Sequence, residues 1–155
     1  MSIPTKSNHE LWMRVALEEA DAASLSGEVP VGAILVAGDR IVGRGRNQSI
    51  GLSDSTGHAE ILALRDAGAR AKNYRLHETV MYVTLEPCPM CAGALLHARV
   101  GSLVFGARDP KTGAAGSVMN LLESPLANHR CQVSAGILET ECSNRLEHFF
   151  GERRL

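Results

Sequence analysis

The alternation of apolar and polar residues predicts a chain built from interleaved helices and strands. Apolar positions recur at helical spacing from residue 8 to about residue 26, and again over 58–67, 88–99 and 139–150. Gly68 suits the end of the second of these helices, and Pro89 suits the first turn of the third. The core-facing positions expected on the first helix are Trp12, Val15, Ala16, Ala20 and Ala23.

Strands are expected where β-branched and other apolar residues run together between turn residues. These segments are 29–36, 41–46, 79–85, 102–105 and a short one at 132–133. Gly38 and Asp39 mark a turn between the first two, which predicts an antiparallel hairpin. A short helix is also expected at about 118–123, while 48–57 and 109–116 are expected to be loops.

This order of elements predicts the fold class. Strand–helix–strand connections favour parallel pairing with right-handed crossovers, and the hairpin adds an antiparallel pair. We therefore expect an α/β protein, a three-layer α/β/α sandwich around a mixed sheet of about five strands. At 155 residues, the chain is expected to form a single domain over 1–155.

Composition narrows the class of protein further. Hydrophobic residues make up 45% of the chain and aromatic residues only 4%, so the core is expected to consist mainly of Ala, Val, Leu and Ile. The 16 Lys and Arg residues against 17 Asp and Glu give a net charge of −1, which does not suggest a broadly basic nucleic-acid binder. Ordinary solvated surface is the favoured interpretation of two arginine clusters, at 40–46 and 145–154.

The sequence predicts a cytoplasmic protein without membrane contact. No apolar run approaches the ~20 residues that span a bilayer, and residues 1–7 lack the apolar region of a secretory signal. Disulfides are rare in the cytoplasm, so the four cysteines indicate metal binding or catalysis. Cys131 and Cys142 are expected to be buried thiols outside the site.

Candidate chemistry concentrates in His58-Ala59-Glu60 and in Pro87-Cys88-Pro89-Met90-Cys91. An imidazole and two thiolates are good zinc ligands. Catalytic zinc sites commonly use three protein ligands and leave a position for water, whereas structural sites usually use four. Zinc lowers the pKa of a bound water to about 7. Glu60 is then expected to move protons between that water and a substrate.

The placement of these residues supports one metal centre. Both stretches fall at predicted helix starts, where the helix dipole favours thiolates. Cys88 and Cys91 lie on one helix face and can chelate one ion. His58 and Glu60 do not share a face, so Glu60 is expected to be the acid/base and not a fourth ligand. The alternatives are a redox cysteine pair and a structural zinc site completed by another His or Cys, and the spacing favours neither.

The two stretches match the pattern H-x-E…P-C-x-x-C of zinc nucleobase deaminases. Further stretches resemble the bacterial tRNA-specific adenosine deaminases, members of the cytidine deaminase-like superfamily, over roughly residues 9–150. They are EVPVGA at 28–33, NYRL at 73–76, YVTLEPC at 82–88, MCAGA at 90–94, VFGARD at 104–109 and KTGAAGS at 111–117.

This resemblance implies conversion of adenosine to inosine at the wobble position (34) of a tRNA anticodon, typically in an arginine tRNA. It implies a homodimer with a cytidine deaminase-like fold and one zinc ion per chain. His58, Cys88 and Cys91 would hold the zinc, and Glu60 would be the general acid/base that protonates N1 of adenine while hydroxide attacks C6. No nucleotide cofactor is expected, because the glycine-rich stretches 43–48 and 111–117 complete no phosphate-binding motif.

The resemblance also implies substrate contacts. Asn47 would contact the flipped nucleotide, Val29 would line the base pocket, and the backbone at Ala59 would lie against the base. Asp109 and Phe149 would lie near the RNA that flanks the target. Two other functions stay open. One is a deaminase of free guanine, cytosine or their nucleosides. The other is a zinc-bearing RNA-binding module without turnover, against which Glu60 argues, because such a module does not need an acid/base.

Overall fold

A computed structural model describes residues 6–125 and 128–153 of the chain, with side chains from residue 8 onward. Within these residues, helices and strands follow in the order α1 β1 β2 α2 β3 α3 β4 β5 α4. The helices are α1 (Lys6–Leu25), α2 (Ala59–Ala71), α3 (Pro89–His97) and α4 (Glu139–Arg153). The strands are β1 (Gly32–Ala37), β2 (Arg40–Arg46), β3 (Val80–Leu85), β4 (Ser102–Ala107) and β5 (Gln132–Ser134).

The five strands form one mixed sheet in the order β2-β1-β3-β4-β5. Strand β1 is antiparallel to both β2 and β3, while β3, β4 and β5 are parallel to one another. The predicted hairpin and the predicted parallel crossovers are both confirmed. Because β2 is antiparallel to β1, it runs in the same direction as β3 and β4. The carboxyl ends of these three strands therefore lie at one end of the sheet, together with the start of β1.

Helices cover both faces of the sheet, which confirms the predicted three-layer sandwich. On one face, Ile34, Tyr82 and Val104 pack against α1 and α4. On the other face, alternate strand residues such as Val83 and Phe105 pack against α2 and α3. The alternation follows from the strand period of two, which sends neighbouring side chains to opposite faces.

Glycine in β2 allows α2 to lie unusually close to the sheet. An added Cβ on Gly45 would lie 2.2 Å from the carbonyl oxygen of Ala59 and 2.5 Å from the amide nitrogen of Ala63. The buried side of α2 is built from alanines, Ala59, Ala63 and Ala67. Small residues on both surfaces therefore fix the distance between the sheet and the first turn of α2.

Three sequence expectations differ from the structure. Helix α2 runs through Gly68, its expected end, to Ala71, and Lys72 takes the left-handed conformation at its C-cap (φ 53°). No helix forms at 118–123, where the chain makes a turn with an isolated antiparallel bridge between Ala115 and Asn120. The backbone there hydrogen-bonds across the turn, Gly116 N to Met119 O at 2.9 Å, instead of along a helix. Strand β1 also begins later than the expected residue 29, because the amide of Val31 turns back to the carbonyl of residue 29 at 2.8 Å.

Candidate active site at the carboxyl end of the sheet

A histidine and two cysteines meet where α2 and α3 begin. His58 is the N-cap residue of α2, and Cys88 is the N-cap residue of α3, with Cys91 in the first turn. The Nδ1 atom of His58 lies 3.6 Å from Cys88 Sγ and 3.5 Å from Cys91 Sγ. In the described part of the chain, this is the one group of three or more His, Cys, Asp or Glu side chains placed to hold a metal ion.

The distances in this cluster fit a tetrahedral metal. With Zn–S of about 2.3 Å and Zn–N of about 2.0–2.1 Å, tetrahedral angles place a ligand nitrogen about 3.6 Å from a ligand sulfur. The observed separations of 3.5 and 3.6 Å agree with that value. The donor set of one imidazole and two thiols is also the kind that zinc takes. The three predicted ligands are thus brought together in a geometry that can hold a metal ion.

The three side chains share protons through hydrogen bonds, and only Cys88 is shifted toward its metal-binding form. A hydrogen bond from Cys91, aided by His58, lowers the pKa of Cys88 to about 4 against the opposing effect of burial. The pKa of the Cys91 thiol is raised, because it donates to Cys88 and is buried. The hydrogen bond with Cys88 raises the pKa of His58. Metal binding displaces such protons, because only thiolate and neutral imidazole are ligands.

Glu60 lies beside the cluster in the first turn of α2, with 4% of its surface exposed. Burial raises the pKa of its carboxyl to about 7. A carboxyl that gains and loses a proton near neutral pH is suited to general acid/base catalysis. The carboxylate of Glu60 is not part of the His58–Cys88–Cys91 group, and its role as acid/base stays a prediction.

A small cavity of about 100 Å³ opens beside these residues. It is well below the ~300–1,000 Å³ typical of sites for drug-sized ligands, so it suits one small group. The cavity collects most of the sequence-predicted site residues from separate parts of the chain. Its lining is Val29, Val31, Asn47, His58, Glu60, Leu85, Glu86, Cys88, Asp109 and Thr112.

Asn47 connects the cavity to the start of α2. Its Oδ1 accepts a hydrogen bond from the amide of Ala59 at 2.9 Å. This bond satisfies a free amide in the first turn of α2, where the N-cap residue His58 makes no side-chain hydrogen bond. Ala59 itself is fully buried and contributes backbone at this point. Asn47 also lines the cavity itself.

Phe149 lies apart from the cavity lining. It is buried on α4, under the guanidinium of Arg153, whose Cζ is 3.6 Å from the ring centroid. Arg153 also donates to the carbonyl of Gly27 at 3.3 Å. The structure therefore gives Phe149 a packing contact, and the expected contact with flanking RNA stays a prediction.

Sequence reasoning missed two buried glutamates that hold the loops around the cavity. Glu28 accepts from the amides of Ile50 (3.1 Å) and Gly51 (2.7 Å), and it is 4% exposed. Glu86 accepts several hydrogen bonds from residues 109–117 and is 2% exposed. The sequence pattern that could have indicated them is a carboxylate at the edge of an apolar strand segment, next to a loop whose backbone amides need hydrogen-bond acceptors.

Arginines of the 40–46 cluster and the two cysteines outside the site make ordinary structural contacts. Arg44 and Arg46 lie 3.2 and 3.5 Å from Glu19, so one of their two charges is offset. Cys131 and Cys142 are free and buried, as expected, and burial raises the pKa of each to about 12. In residues 6–125 and 128–153, no helix has the length and apolar character to cross a membrane.

Comparison with known proteins gives the family. The sequence model of the MafB19-like deaminases matches residues 7–154. The tRNA-specific adenosine deaminase of Haemophilus influenzae is 53% identical, over 94% of this chain and 84% of that protein. The enzyme of the same name from Bacillus subtilis is 46% identical, over 94% of this chain and 90% of that protein.

A solved structure agrees with these sequence matches. It comes from a study of A-to-I editing by tRNA:A34 deaminases at the wobble position of transfer RNA. It superposes with a TM-score of 0.84 at 41% identity, covering 88% of this chain and 99% of the other. Sequence, fold and the His–Cys–Cys cluster beside a buried glutamate thus agree, and the chain belongs to the tRNA-specific adenosine deaminases, a family of hydrolytic deaminases with the cytidine deaminase-like fold.

Proposed function

We propose that this chain catalyses the hydrolytic deamination of adenosine to inosine at wobble position 34 of a tRNA anticodon, with an arginine tRNA as its substrate. The observation that carries the proposal is the buried Glu60 beside three metal-ligand side chains, in a cavity of about 100 Å³. The names of the relatives supply the substrate class.

One zinc ion is proposed at His58 Nδ1 and the sulfurs of Cys88 and Cys91. When bound, zinc supplies a water of lowered pKa. Glu60 accepts a proton from the attacking water and delivers it to N1 of adenine as C6 is attacked. Glu60 then takes the proton of the new C6 hydroxyl and delivers it to the exocyclic amino group, so that the C6–N bond breaks, ammonia leaves and the C6 carbonyl of inosine forms. A carboxyl with a pKa of about 7 can take both roles at neutral pH.

Substrate binding is proposed to involve one extruded base. The amide nitrogen of Asn47 donates to the flipped nucleotide, while Val29 and the backbone at Ala59 lie against the base. Asp109 and Phe149 lie nearer the flanking RNA. A wobble base in an anticodon loop is already unpaired, so extruding it costs little. A one-base cavity also agrees with a net charge of −1, since no broadly basic surface is needed.

We further propose that the enzyme acts in the cytoplasm as a homodimer in which residues 1–155 form one deaminase domain. An open groove of about 820 Å³ between α2 and α3 offers apolar surface for a second copy. Its lining includes Ile61, Leu64 and Tyr74, and Tyr74 is 72% exposed. Sedimentation equilibrium of the wild type and of Leu64→Arg tests this; a wild-type monomer at all concentrations contradicts the dimer.

The reaction is tested with zinc-loaded protein and an arginine-tRNA anticodon stem-loop that carries a wobble adenosine. Inosine is expected from the wild type. Glu60→Ala should retain zinc and RNA binding but lose turnover by at least the ~10²–10⁴-fold typical of general acid/base catalysis. Near-normal turnover of Glu60→Ala would contradict its role. No inosine from wild type with one zinc bound per chain would overturn the proposed substrate and favour a free base or nucleoside.

A further inference from the structure

Glu86 is a buried carboxylate with no part in the proposed proton transfers. It follows the last residue of β3, and both of its oxygens are occupied. Oε1 accepts from the amide of Asp109 at 3.0 Å and from the hydroxyl of Ser117. Oε2 accepts from the amides of Ala115 and Ser117, both at 3.0 Å. One carboxylate thus holds both ends of the segment 109–117.

The segment 109–117 forms part of the cavity wall, through Asp109 and Thr112. The Asp109 carboxylate is turned onto its own loop, where it accepts from the amides of Lys111 (3.0 Å) and Thr112 (3.1 Å) and from the Thr112 hydroxyl (2.8 Å). An added Cβ on Gly113 would lie 2.4 Å from Glu86 Cδ. The loop is therefore folded directly around the Glu86 carboxylate.

Little regular structure holds this wall otherwise. Between β4 and β5, the described residues contain only the isolated bridge at Ala115. The segment is also held by the amide of Ala114, which donates to the carbonyl of Pro87 just after β3 at 2.8 Å, and by the burial of Ala114 and Ala115 in the core. A carboxylate with four charge-assisted hydrogen bonds is a strong anchor in a buried setting. Core packing therefore holds the middle of the segment, while Glu86 supplies the hydrogen bonds that reach Asp109 at its start and Ser117 at its end.

We propose that Glu86 is a positioning residue for the nucleotide substrate: its carboxylate fixes the loop 109–117 at the rim of the cavity and so sets the strength of substrate binding, without entering the chemical step. This inference rests on the proposed function. It concerns how the wall of the site is held, whereas Glu60 and the metal ligands concern the reaction itself.

Glu86→Gln is the sharpest test, because it keeps the shape of the side chain and replaces one acceptor oxygen with a donor. At the Oε2 position, an amide nitrogen would face two backbone N–H donors. If the amide nitrogen takes the Oε1 position instead, the Ser117 hydroxyl can turn to accept from it, so only the bond from Asp109 N is lost. We therefore expect the nitrogen at the Oε1 position. The variant should therefore release the start of the loop and keep its end.

The expected result is a KM for the anticodon stem-loop raised about tenfold, with kcat changed less than about threefold and zinc content unchanged. Amide hydrogen exchange should become faster within 109–112. Ser117→Ala, which removes a single hydroxyl bond, should raise KM by about two- to fivefold and covers the case in which Glu86→Gln folds poorly. Thr79→Val is the matched control. It removes a buried hydrogen bond to Leu76 O (2.6 Å) before the start of β3, at the opposite end from the cavity, and should leave KM unchanged.

Three outcomes separate the hypotheses. Unchanged KM in Glu86→Gln and Ser117→Ala, with an active wild type, overturns the positioning role and leaves the proposed function intact. A fall in kcat at constant KM overturns it too, because Glu86 would then act in the chemical step. A zinc-loaded wild type that makes no inosine overturns the proposed function, and unchanged exchange of 109–117 in Glu86→Gln would then separately show that Glu86 does not hold the loop.

Discussion

Gly45→Ala tests whether the contact between β2 and α2 places the catalytic residues. The added Cβ would lie 2.2 Å from the carbonyl oxygen of Ala59, while real Cβ contacts essentially never fall under 3.0 Å, so the two elements must separate by about 0.8 Å. The atoms in the way belong to the backbone and cannot rotate aside. Ala59 lies between His58 and Glu60, so the displacement falls on the proposed zinc ligand and on the proposed acid/base together.

The size of the effect follows from the packing and from the cluster. Overpacking a well-filled core costs about 1–3 kcal/mol of unfolding free energy. Metal–ligand distances tolerate only about ±0.2 Å, so a shift of about 0.8 Å at the start of α2 disturbs the 3.5 and 3.6 Å separations between His58 and the two sulfurs. We expect zinc affinity to fall by about 10–100-fold, the range seen when support around a ligand is lost.

Urea unfolding, zinc competition with a chelator and inosine formation measure the three consequences of Gly45→Ala. Gly93→Ala is the matched control, because a Cβ on this helical glycine of α3 meets nothing within 4 Å. It should stabilise the protein by about 0.5–1 kcal/mol. Wild-type zinc affinity in a destabilised Gly45→Ala would show that α2 relaxes away from the site, and would refute the proposed link between packing and ligand geometry.

Substitutions at three further positions give direct expectations. Cys88→Ser should abolish stoichiometric zinc binding in elemental analysis, and full retention would refute the ligand set. Asn47→Ala should lower the free energy of unfolding by about 1 kcal/mol, because the cap on the Ala59 amide is lost. Asn47→Asp keeps the acceptor oxygen and removes the donor nitrogen, so it should keep that stability and lose turnover. Equal urea midpoints for the two variants would contradict this. Burial raises the pKa of Tyr82 to about 12, so the folded state keeps a phenol proton that the unfolded state loses above pH ~10. The free energy of unfolding should therefore fall by up to ~1.4 kcal/mol per pH unit between pH ~10 and ~12. Tyr82→Phe should remove this part of the alkaline loss in urea unfolding, and an unchanged pH slope would refute it.

The sequence predicted the elements whose hydrogen bonds are local or whose apolar pattern is regular. The helix from residue 59 and the strand ending at Leu85 show such patterns. The first places His58 at the start of α2, and the end of the second places Cys88 at the start of α3. Metal chemistry then selected the same three side chains that the fold brings within 4.8 Å. Local patterns thus predicted the chemically distinctive part of the site.

The missed features depend on contacts between residues far apart in the chain. The segment 118–123 has apolar residues that suit a helix, yet it follows a backbone held by Glu86, about 30 positions earlier. Val118 is 51% exposed whereas Leu122, four residues later, is fully buried, so the apolar residues of this segment do not share one buried helix face. Glu28 holds the loop at Ile50 in the same way. A carboxylate that replaces secondary structure as hydrogen-bond partner leaves no periodic pattern in the sequence.

Strand direction explains why the site lies where it does. Since β2, β3 and β4 point the same way, the segments after them, which carry Asn47, Cys88 and Asp109, meet at one end of the sheet. The antiparallel β1 starts at that end, which brings Val29 to the same cavity. Ligand sites in open α/β sheets lie outside the carboxyl ends of strands for this reason. Helix α4 packs on the opposite face from α2 and α3, where the guanidinium of Arg153 covers Phe149 and donates to the carbonyl of Gly27. The proposed contacts to the base therefore come from the ends of the strands, whereas the proposed contact of Phe149 with flanking RNA lies outside the cavity lining.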